Sequence, residues 1–157
     1  MEHLDALDCS PAPEPVPVGL RPQRGGSRTI GRLLPWNARI VLADSDCLFC
    51  RIVAGEIPTD LVYEDELLVA FPDISAKAPT HILLIPREHL VSAAELSDDH
   101  APLLGRLFAT AARLAAERGL VESGFRLVTN AGADAGQSVD HLHVHLLGGR
   151  KFGWPPG

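Results

Sequence analysis

The chain has 157 residues, of which 46% are hydrophobic and 22% are charged, and its formal net charge is −6. This length and composition are typical of one globular domain and exclude a chain that is disordered throughout. The acidic balance argues against a nucleic-acid partner, and the absence of an apolar run of ~18 residues argues against a membrane span.

The first part of the chain is rich in proline. Four prolines fall within residues 11–17, and a Gly-Gly-Ser triplet follows at 25–27. Because proline blocks helices and removes backbone donors, residues 1–43 are expected to form a disordered or loosely attached extension. The apolar stretch 33–42 could instead lie against the domain as a strand. The folded domain is expected to span residues 44–157.

The start of the expected domain contains signals for a short helix and a hairpin. Asp46 is expected to cap a helix over residues 47–54, which ends at Gly55. Apolar runs at 61–63 and 67–71 are separated by three acidic residues. Two such runs with a polar connection predict a pair of antiparallel strands.

A buried strand and a long helix are predicted next. The apolar run 81–85 predicts a strand that stops at Pro86, because proline cannot donate to the ladder. Ser97 is expected to cap a long amphipathic helix that ends at Gly119. Its inward face consists of apolar residues at helical spacing: Leu103, Leu104, Leu107, Phe108, Ala111, Leu114 and Ala115.

Two further strands complete the predicted fold. Residues 125–129 and 141–147 are apolar runs joined by the glycine-rich stretch 130–137. Strands that pair through turns, with one long helix over a face, indicate an α+β fold. We expect a mostly antiparallel five-stranded sheet with one long and one short helix.

The last of these strands carries three alternating histidines, His141, His143 and His145. Side chains alternate faces along a strand, so the three imidazoles share one face and the apolar residues between them share the other. Neighbouring α-carbons on that face are ~6–7 Å apart, which lets imidazoles surround one small anionic group. A zinc site is the competing interpretation, because neutral imidazoles also suit that metal.

The loop before the histidine strand favours the anion. Asn130-Ala-Gly-Ala-Asp-Ala-Gly136-Gln-Ser138 contains small residues, whose backbone N–H groups can approach an anion closely, and a hydroxyl that can donate to it. A glycine-rich turn alone would indicate only a flexible connection. Its position directly before the histidine strand makes a phosphate-binding role the better interpretation.

Several short motifs are spread along the expected domain. They are Cys47-Leu-Phe-Cys-Arg-Ile-Val-Ala-Gly-Glu-Ile-Pro58, Ala-Phe-Pro-Asp-Ile74, Ala-Pro-Thr-His81, Ile-Pro-Arg-Glu-His89, Gly-Gln-Ser138 with the three histidines, and Gly148-Gly-Arg…Trp154-Pro-Pro-Gly157. Together they resemble the histidine triad (HIT) superfamily, and more narrowly its Hint branch of nucleotide-binding phosphoramidases. The resemblance covers some 110 residues from Cys47 onward. A glutamine at the last triad position, typical of the nucleotidyltransferase branch, is absent because His145 stands there.

The resemblance implies a hydrolase that cleaves purine nucleoside phosphoramidates, conjugates of AMP or GMP type, at the α-phosphate. His143 is the implied nucleophile, and a covalent nucleotidyl-histidine is the implied intermediate. No organic cofactor is expected. A non-catalytic nucleotide-binding regulatory or scaffold module is the alternative.

The resemblance also implies a role for each of the other site residues. The phosphate is bound by His145, Ser138 and the loop at Gly136 and Gln137. Asn130 contacts the sugar or phosphate region, Asp73 holds the ribose hydroxyls and His81 relays protons to the leaving group. Ile52, Phe71 and Ile74 form the slot for the base. Family members are usually homodimers joined across the sheet and long helix, so Trp154 is expected to reach the partner's site.

Alternatives remain for several of these residues. Asp73 could be an ordinary turn acid, and His81 could be a surface histidine. The three apolar residues of the base slot could be plain core, and Trp154 could be a terminal anchor.

Cys47 and Cys50 have the spacing of half a zinc site. The resemblance adds His89 and His141, which complete a Cys2His2 set for a structural zinc ion. Two buried thiols without metal are the alternative. Three cysteines, including Cys9 in the extension, do not make a disulfide framework in a chain of this size, so we expect a cytoplasmic protein.

Overall fold

The computed structural model describes residues 46–155. The expected extension over residues 1–43 lies outside this range and stays a prediction. The described elements are α1 (Leu48–Val53), β1 (Tyr63–Glu64), β2 (Leu68–Pro72), β3 (Thr80–Pro86), α2 (Ala101–Glu117), β4 (Phe125–Val128) and β5 (Val144–Gly148), with short 3-10 turns between some of them.

The five strands form one antiparallel sheet in the order β1-β2-β3-β5-β4. The α+β prediction is therefore confirmed. The register places His81 of β3 opposite Leu147 of β5, and His145 between Leu83 and Val128 on its two neighbours. Residues that face each other across antiparallel strands point to the same side of the sheet, so His81 and Leu147 share a face. Because residues two apart in a strand also point to the same side, His145 lies on that face as well.

The two faces of the sheet are covered by different helices. Leu107 and Leu114 of α2 are almost fully buried and pack with Leu142, Val144 and Leu146 in the main core. As predicted, these apolar residues alternate with the three histidines along the last segment. The opposite face carries a smaller apolar cluster, made of Phe49, Val69, Phe71, Leu83 and Ile85.

Strand β5 begins later than predicted, at Val144 rather than at residue 141. The ladder with β3 ends at the pair Leu84 and Val144. Pro86, at the end of β3, has no N–H to donate, so the chain before Val144 is free to leave the ladder. The N–H of Leu142 instead donates to the carbonyl oxygen of Leu90.

The helix starts also differ from the prediction. Cys47 rather than Asp46 precedes α1, and its side chain makes no capping hydrogen bond. Ser97 precedes a 3-10 turn, and α2 starts only at Ala101, followed by Pro102, which suits a first helical turn because its missing N–H would be unpaired there. No helix within residues 46–155 is long and apolar enough to cross a membrane.

Candidate active site

A cavity of about 880 Å³ opens on the histidine face of the sheet. Three of the predicted substrate-binding residues do not line this cavity: Gly136, Gln137 and Trp154. Their contact with a substrate stays a prediction. The other predicted substrate and catalytic residues all line this cavity: His143, His145, His81, Ser138, Asp73, Asn130, Ile52, Phe71 and Ile74.

The ring of His143 is held in one tautomer. Its Nδ1 lies 2.7 Å from the carbonyl oxygen of His141, which can only accept a hydrogen bond. Nδ1 therefore carries the ring proton, and Nε2 of the neutral ring keeps its lone pair. Although His143 is only 3% exposed, it reaches the cavity wall, with its ring edge-on to those of Phe49 and His145. A buried imidazole with a free Nε2 can act as a nucleophile.

His81 and His145 form a directly hydrogen-bonded pair. Nε2 of His81 lies 2.9 Å from Nδ1 of His145. Burial lowers the pKa of His81, an effect that Asp73 opposes and Lys77 reinforces. Burial, together with the neighbouring His143 and His81, lowers the pKa of His145 to about 4. Both rings are therefore neutral near pH 7.

Asp73 lies beside this histidine pair at the end of β2. Its Oδ2 is 3.2 Å from Nε2 of His81 and 4.0 Å from Nδ1 of His145. Its Oδ1 accepts the N–H of Ser75 over 2.7 Å. Because the side chain also lines the cavity, its carboxylate can accept hydrogen bonds from a ligand as well as from His81.

The glycine-rich loop is braced from within. Gly132 and Gly136 have φ angles of 82° and 77°, which favour glycine because a Cβ is strained there. Oε1 of Gln137 accepts the N–H of Gly132, and its Nε2 donates to the carbonyl oxygens of Val91 and Val139. The side chain of Gln137 thus holds the loop that leads to Ser138.

An apolar wall closes another side of the cavity. Phe71 is buried against Phe49, with ring centroids 5.8 Å apart, and Ile52 packs beside this cluster. Ile74, at the rim, is fully exposed. An apolar rim next to a buried apolar wall can receive the flat face of a nucleobase.

The four predicted metal ligands meet in one cluster. Nδ1 of His141 lies 3.5 Å from Sγ of Cys47 and 3.6 Å from Sγ of Cys50, and Nδ1 of His89 lies 3.2 Å from Sγ of Cys50. All four ligand atoms lie within 4.8 Å of one another. Tetrahedral zinc bonds would separate sulfur and nitrogen ligands by about 3.5 Å.

The tautomer of His141 also suits a metal. Its Nε2 lies 2.9 Å from the carbonyl oxygen of Pro86, so Nε2 carries the proton and Nδ1 presents its lone pair to the thiols. His141 thus contributes to the cluster, while His143 and His145 line the cavity. The residues present fit a Cys2His2 metal ion.

A second group of potential ligands, Asp73, His81 and His145, lies in the cavity itself. The 2.9 Å between the two ring nitrogens is a hydrogen-bond distance and is shorter than the ~3.3 Å between tetrahedral ligands. Hydrogen bonding accounts for this group without a metal ion.

Sequence reasoning missed some residues that shape the site. Phe49 makes edge-on contacts with the rings of both His141 and His143. Its place in the Cys-Leu-Phe-Cys motif, on a predicted helix, was the available signal. The backbone N–H of Lys77 donates to Nδ1 of His81 over 3.1 Å, and a backbone donor leaves no signal in the sequence.

Comparison with known proteins identifies the family. A family model described as the HIT domain matches residues 54–152. The purine nucleoside phosphoramidase of Escherichia coli K12 is 45% identical over 108 residues, covering 69% of this chain and 91% of that protein. The adenylylsulfatase HINT1 of Arabidopsis thaliana is 47% identical over 117 residues, covering 73% of this chain and 79% of that protein.

A solved structure agrees with the sequence relatives. The HIT family hydrolase of Legionella pneumophila Philadelphia 1 superimposes with a TM-score of 0.70 at 48% identity. The match covers 71% of this chain and 100% of that one. The histidine segment 141–145, the sequence relatives and the solved structure all indicate the same family. The chain belongs to the histidine triad (HIT) family.

Proposed function

We propose that the chain is a hydrolase that cleaves purine nucleoside phosphoramidates at the α-phosphate. The observation that carries the proposal is the tautomer of His143, whose unprotonated Nε2 belongs to a ring on the cavity wall. The names of the Escherichia coli and Arabidopsis relatives support a nucleotide conjugate as substrate.

The reaction proceeds in two displacements at phosphorus. Nε2 of His143 attacks the α-phosphorus, the bond from phosphorus to the leaving nitrogen breaks, and the electron pair stays on that nitrogen, which takes up a proton. Water then attacks the nucleotidyl-histidine, breaks the new P–N bond and gives up a proton, so that the nucleotide leaves and His143 is restored. A covalent intermediate divides one difficult displacement into two easier ones.

The phosphate is bound by donors at one end of the cavity. His145 and Ser138 line the cavity, and the braced loop at Gly136 and Gln137 leads directly to Ser138. Donors placed where charge builds on phosphoryl oxygens stabilise the transition state. His81 also lines the cavity and is hydrogen-bonded to His145.

The nucleoside lies along the rest of the cavity. Asp73 holds the ribose hydroxyls, and Asn130 contacts the sugar or phosphate region. The base packs between Ile52, Phe71 and Ile74. All five line the same cavity as His143, and the full exposure of Ile74 supports a ligand-covered rim.

The Cys2His2 cluster holds a structural zinc ion. The ligands are Cys47, Cys50, His89 and His141, and the sulfur–nitrogen distances fit zinc. A bound zinc ion would link α1 to the segment that carries His143. Neither described cysteine is in a disulfide, which is consistent with a cytoplasmic protein.

The assembly is a homodimer formed across the sheet and the long helix. Phe108 on α2 is 56% exposed, and Phe125 on the outer strand β4 is also exposed. Trp154 is 87% exposed, so it is available to reach the partner's cavity and shape the choice of leaving group. Light scattering after size exclusion should give twice the chain mass, and Phe108→Lys should shift it toward the monomer.

The function is tested by turnover of adenosine phosphoramidate by wild type and His143→Ala. We expect wild type to release AMP and the variant to lose at least about a thousandfold in kcat. Val121→Ala, at an exposed position that does not line the cavity, serves as the surface control. Equal rates for wild type and His143→Ala would reject His143 as nucleophile, and tight AMP binding without turnover would favour the scaffold alternative. Parallel assays with guanosine phosphoramidates and aminoacyl-adenylates define the substrate range.

A further inference from the structure

A chain of hydrogen bonds behind the cavity begins at a backbone amide. The N–H of Lys77 donates to Nδ1 of His81 over 3.1 Å. An amide N–H can only donate, so Nδ1 must present a lone pair. The single proton of the neutral His81 ring is therefore on Nε2.

The proton position in His81 determines the tautomer of His145. Nε2–H of His81 lies 2.9 Å from Nδ1 of His145, which must accept it. The proton of the neutral His145 ring is then on Nε2. Within residues 46–155, no group hydrogen-bonds to Nε2 of His145, and the ring lines the cavity.

We propose that His81 is a positioning residue that holds His145 in the Nε2–H tautomer, as a fixed neutral hydrogen-bond donor to a phosphoryl oxygen. This inference rests on the proposed function for the identity of the ligand group. It replaces proton relay by His81 with a static role. A donor held in one tautomer needs no reorganisation when charge develops on the phosphoryl group.

The arrangement does not allow His81 to act as a relay. With Nδ1 occupied by the Lys77 N–H, His81 carries one proton. Passing that proton to His145 would leave an imidazolate, which is far too basic to form near pH 7. Taking up a second proton first would require the Lys77 hydrogen bond to break. His81 can therefore orient its neighbour in this structure, but it cannot pass a proton on.

The groups around His81 and His145 are consistent with two neutral rings held in fixed orientations. Oδ2 of Asp73 lies 3.2 Å from Nε2 of His81 and helps to direct its N–H. His143 faces His145 from the same segment, while the residue opposite on β4 is the apolar Val128. Lys77 and Asp60 are the other charged residues that line the cavity.

Three substitutions of His81 separate its two hydrogen bonds. His81→Gln places an amide NH2 near the position of Nε2 and keeps donors for His145 and Asp73. His81→Asn places an amide oxygen near the position of Nδ1, which keeps the acceptor for Lys77 but cannot reach His145. His81→Leu removes both. Circular dichroism and Tm show whether each variant is folded.

The first readout is kcat and its pH profile with adenosine phosphoramidate. We expect His81→Gln to stay within about fivefold of wild type with an unchanged profile, and His81→Asn and His81→Leu to lose about 10- to 100-fold in kcat. Rescue by Asn but not Gln would overturn the proposal in favour of a role in holding the Lys77 loop. Failure of all three, with a limb lost from the pH profile, would overturn it in favour of a relay.

The second readout does not depend on turnover. The ring nitrogens of His145 are observed by 15N NMR in the free protein. We expect the Nε2–H tautomer in wild type and His81→Gln, and a mixture of tautomers in His81→Leu. A wild-type His145 protonated on Nδ1 would overturn the proposal even if the enzyme is active. A wild-type protein that is inactive but shows the Nε2–H tautomer of His145 would contradict the proposed function and leave the tautomer assignment intact.

Discussion

The ring of His143 donates through Nδ1 to the carbonyl oxygen of His141, two residues earlier in the chain, over 2.7 Å. The ring of His141 points instead toward Cys47 and Cys50. One short segment therefore supplies both a ligand of the Cys2His2 cluster and the proposed nucleophile. Any change that moves His141 must also move the hydrogen-bond acceptor that sets the tautomer of His143.

Loss of the Cys2His2 cluster should remove the metal and loosen the active site. Wild type is expected to contain about one zinc per chain by mass spectrometry of the metal, and Cys50→Ser is expected to contain much less. The variant should lose about 3 kcal/mol of unfolding free energy, roughly 10 °C or more in Tm. Cys9→Ser is the control and should keep its zinc. Wild-type protein purified without any metal would contradict the zinc assignment.

Removal of the exposed side chain at the cavity rim should weaken nucleotide binding without affecting the fold. Ile74 is fully exposed, so Ile74→Ala should leave Tm unchanged. Lost contact with the base should raise KM about fivefold, which corresponds to about 1 kcal/mol of apolar contact. Val121, which is 61% exposed and does not line the cavity, provides Val121→Ala as a matched control. Equal KM values for the two variants would remove Ile74 from the base slot.

Gln137 should affect the site through the loop that it braces. Gln137→Ala loses hydrogen bonds to Gly132, Val91 and Val139. We expect a loss of about 1–2 kcal/mol in unfolding free energy together with a raised KM. Gln137→Glu keeps the acceptor for Gly132 but places a carboxylate against two carbonyl oxygens. It should therefore be no more stable than Gln137→Ala. A raised KM with unchanged stability would indicate direct contact between Gln137 and the substrate.

Much of the fold could be predicted from the sequence because its signals are local. The periodicity of α2 and the alternation around His141, His143 and His145 depend only on spacing along the chain. The start of β5 could not be predicted, because it depends on Pro86 of a different strand and on the hydrogen bond from Leu142 to Leu90.

The residue types of the site could also be predicted, but their proton positions could not. The tautomers of His81, His141 and His143 are set by backbone groups of Lys77, Pro86 and His141 respectively. Every residue has such groups, so no motif marks them. They become specific only when the fold brings one N–H or C=O to one ring nitrogen.

Stability should fall in mild acid because His145 resists protonation in the folded state. Its folded pKa of about 4 lies below the ordinary 6.5, so the unfolded chain binds more protons between these values. Unfolding free energy should therefore fall as the pH drops from 6.5 to 4, by about 3 kcal/mol from this residue.

The measurement is the pH dependence of urea unfolding in wild type and His145→Gln. The substitution removes the titrating group, so the variant should lose about 3 kcal/mol less than wild type between pH 7 and pH 4. Metal loss at low pH affects both proteins and cancels in the comparison. Parallel curves would mean that His145 is not buried as a neutral ring.

The role of His143 as nucleophile is tested most directly by trapping the proposed covalent intermediate. Wild type is mixed with an adenosine phosphoramidate for milliseconds, quenched with base, in which phosphorus–nitrogen bonds to histidine survive, and digested for peptide mass spectrometry. We expect one adenylyl group on the peptide that contains His143, located on that ring by fragmentation and absent from His143→Ala. An adenylyl group on His145 or His81, or single-turnover release of AMP with no adenylated peptide at any time point, would contradict it.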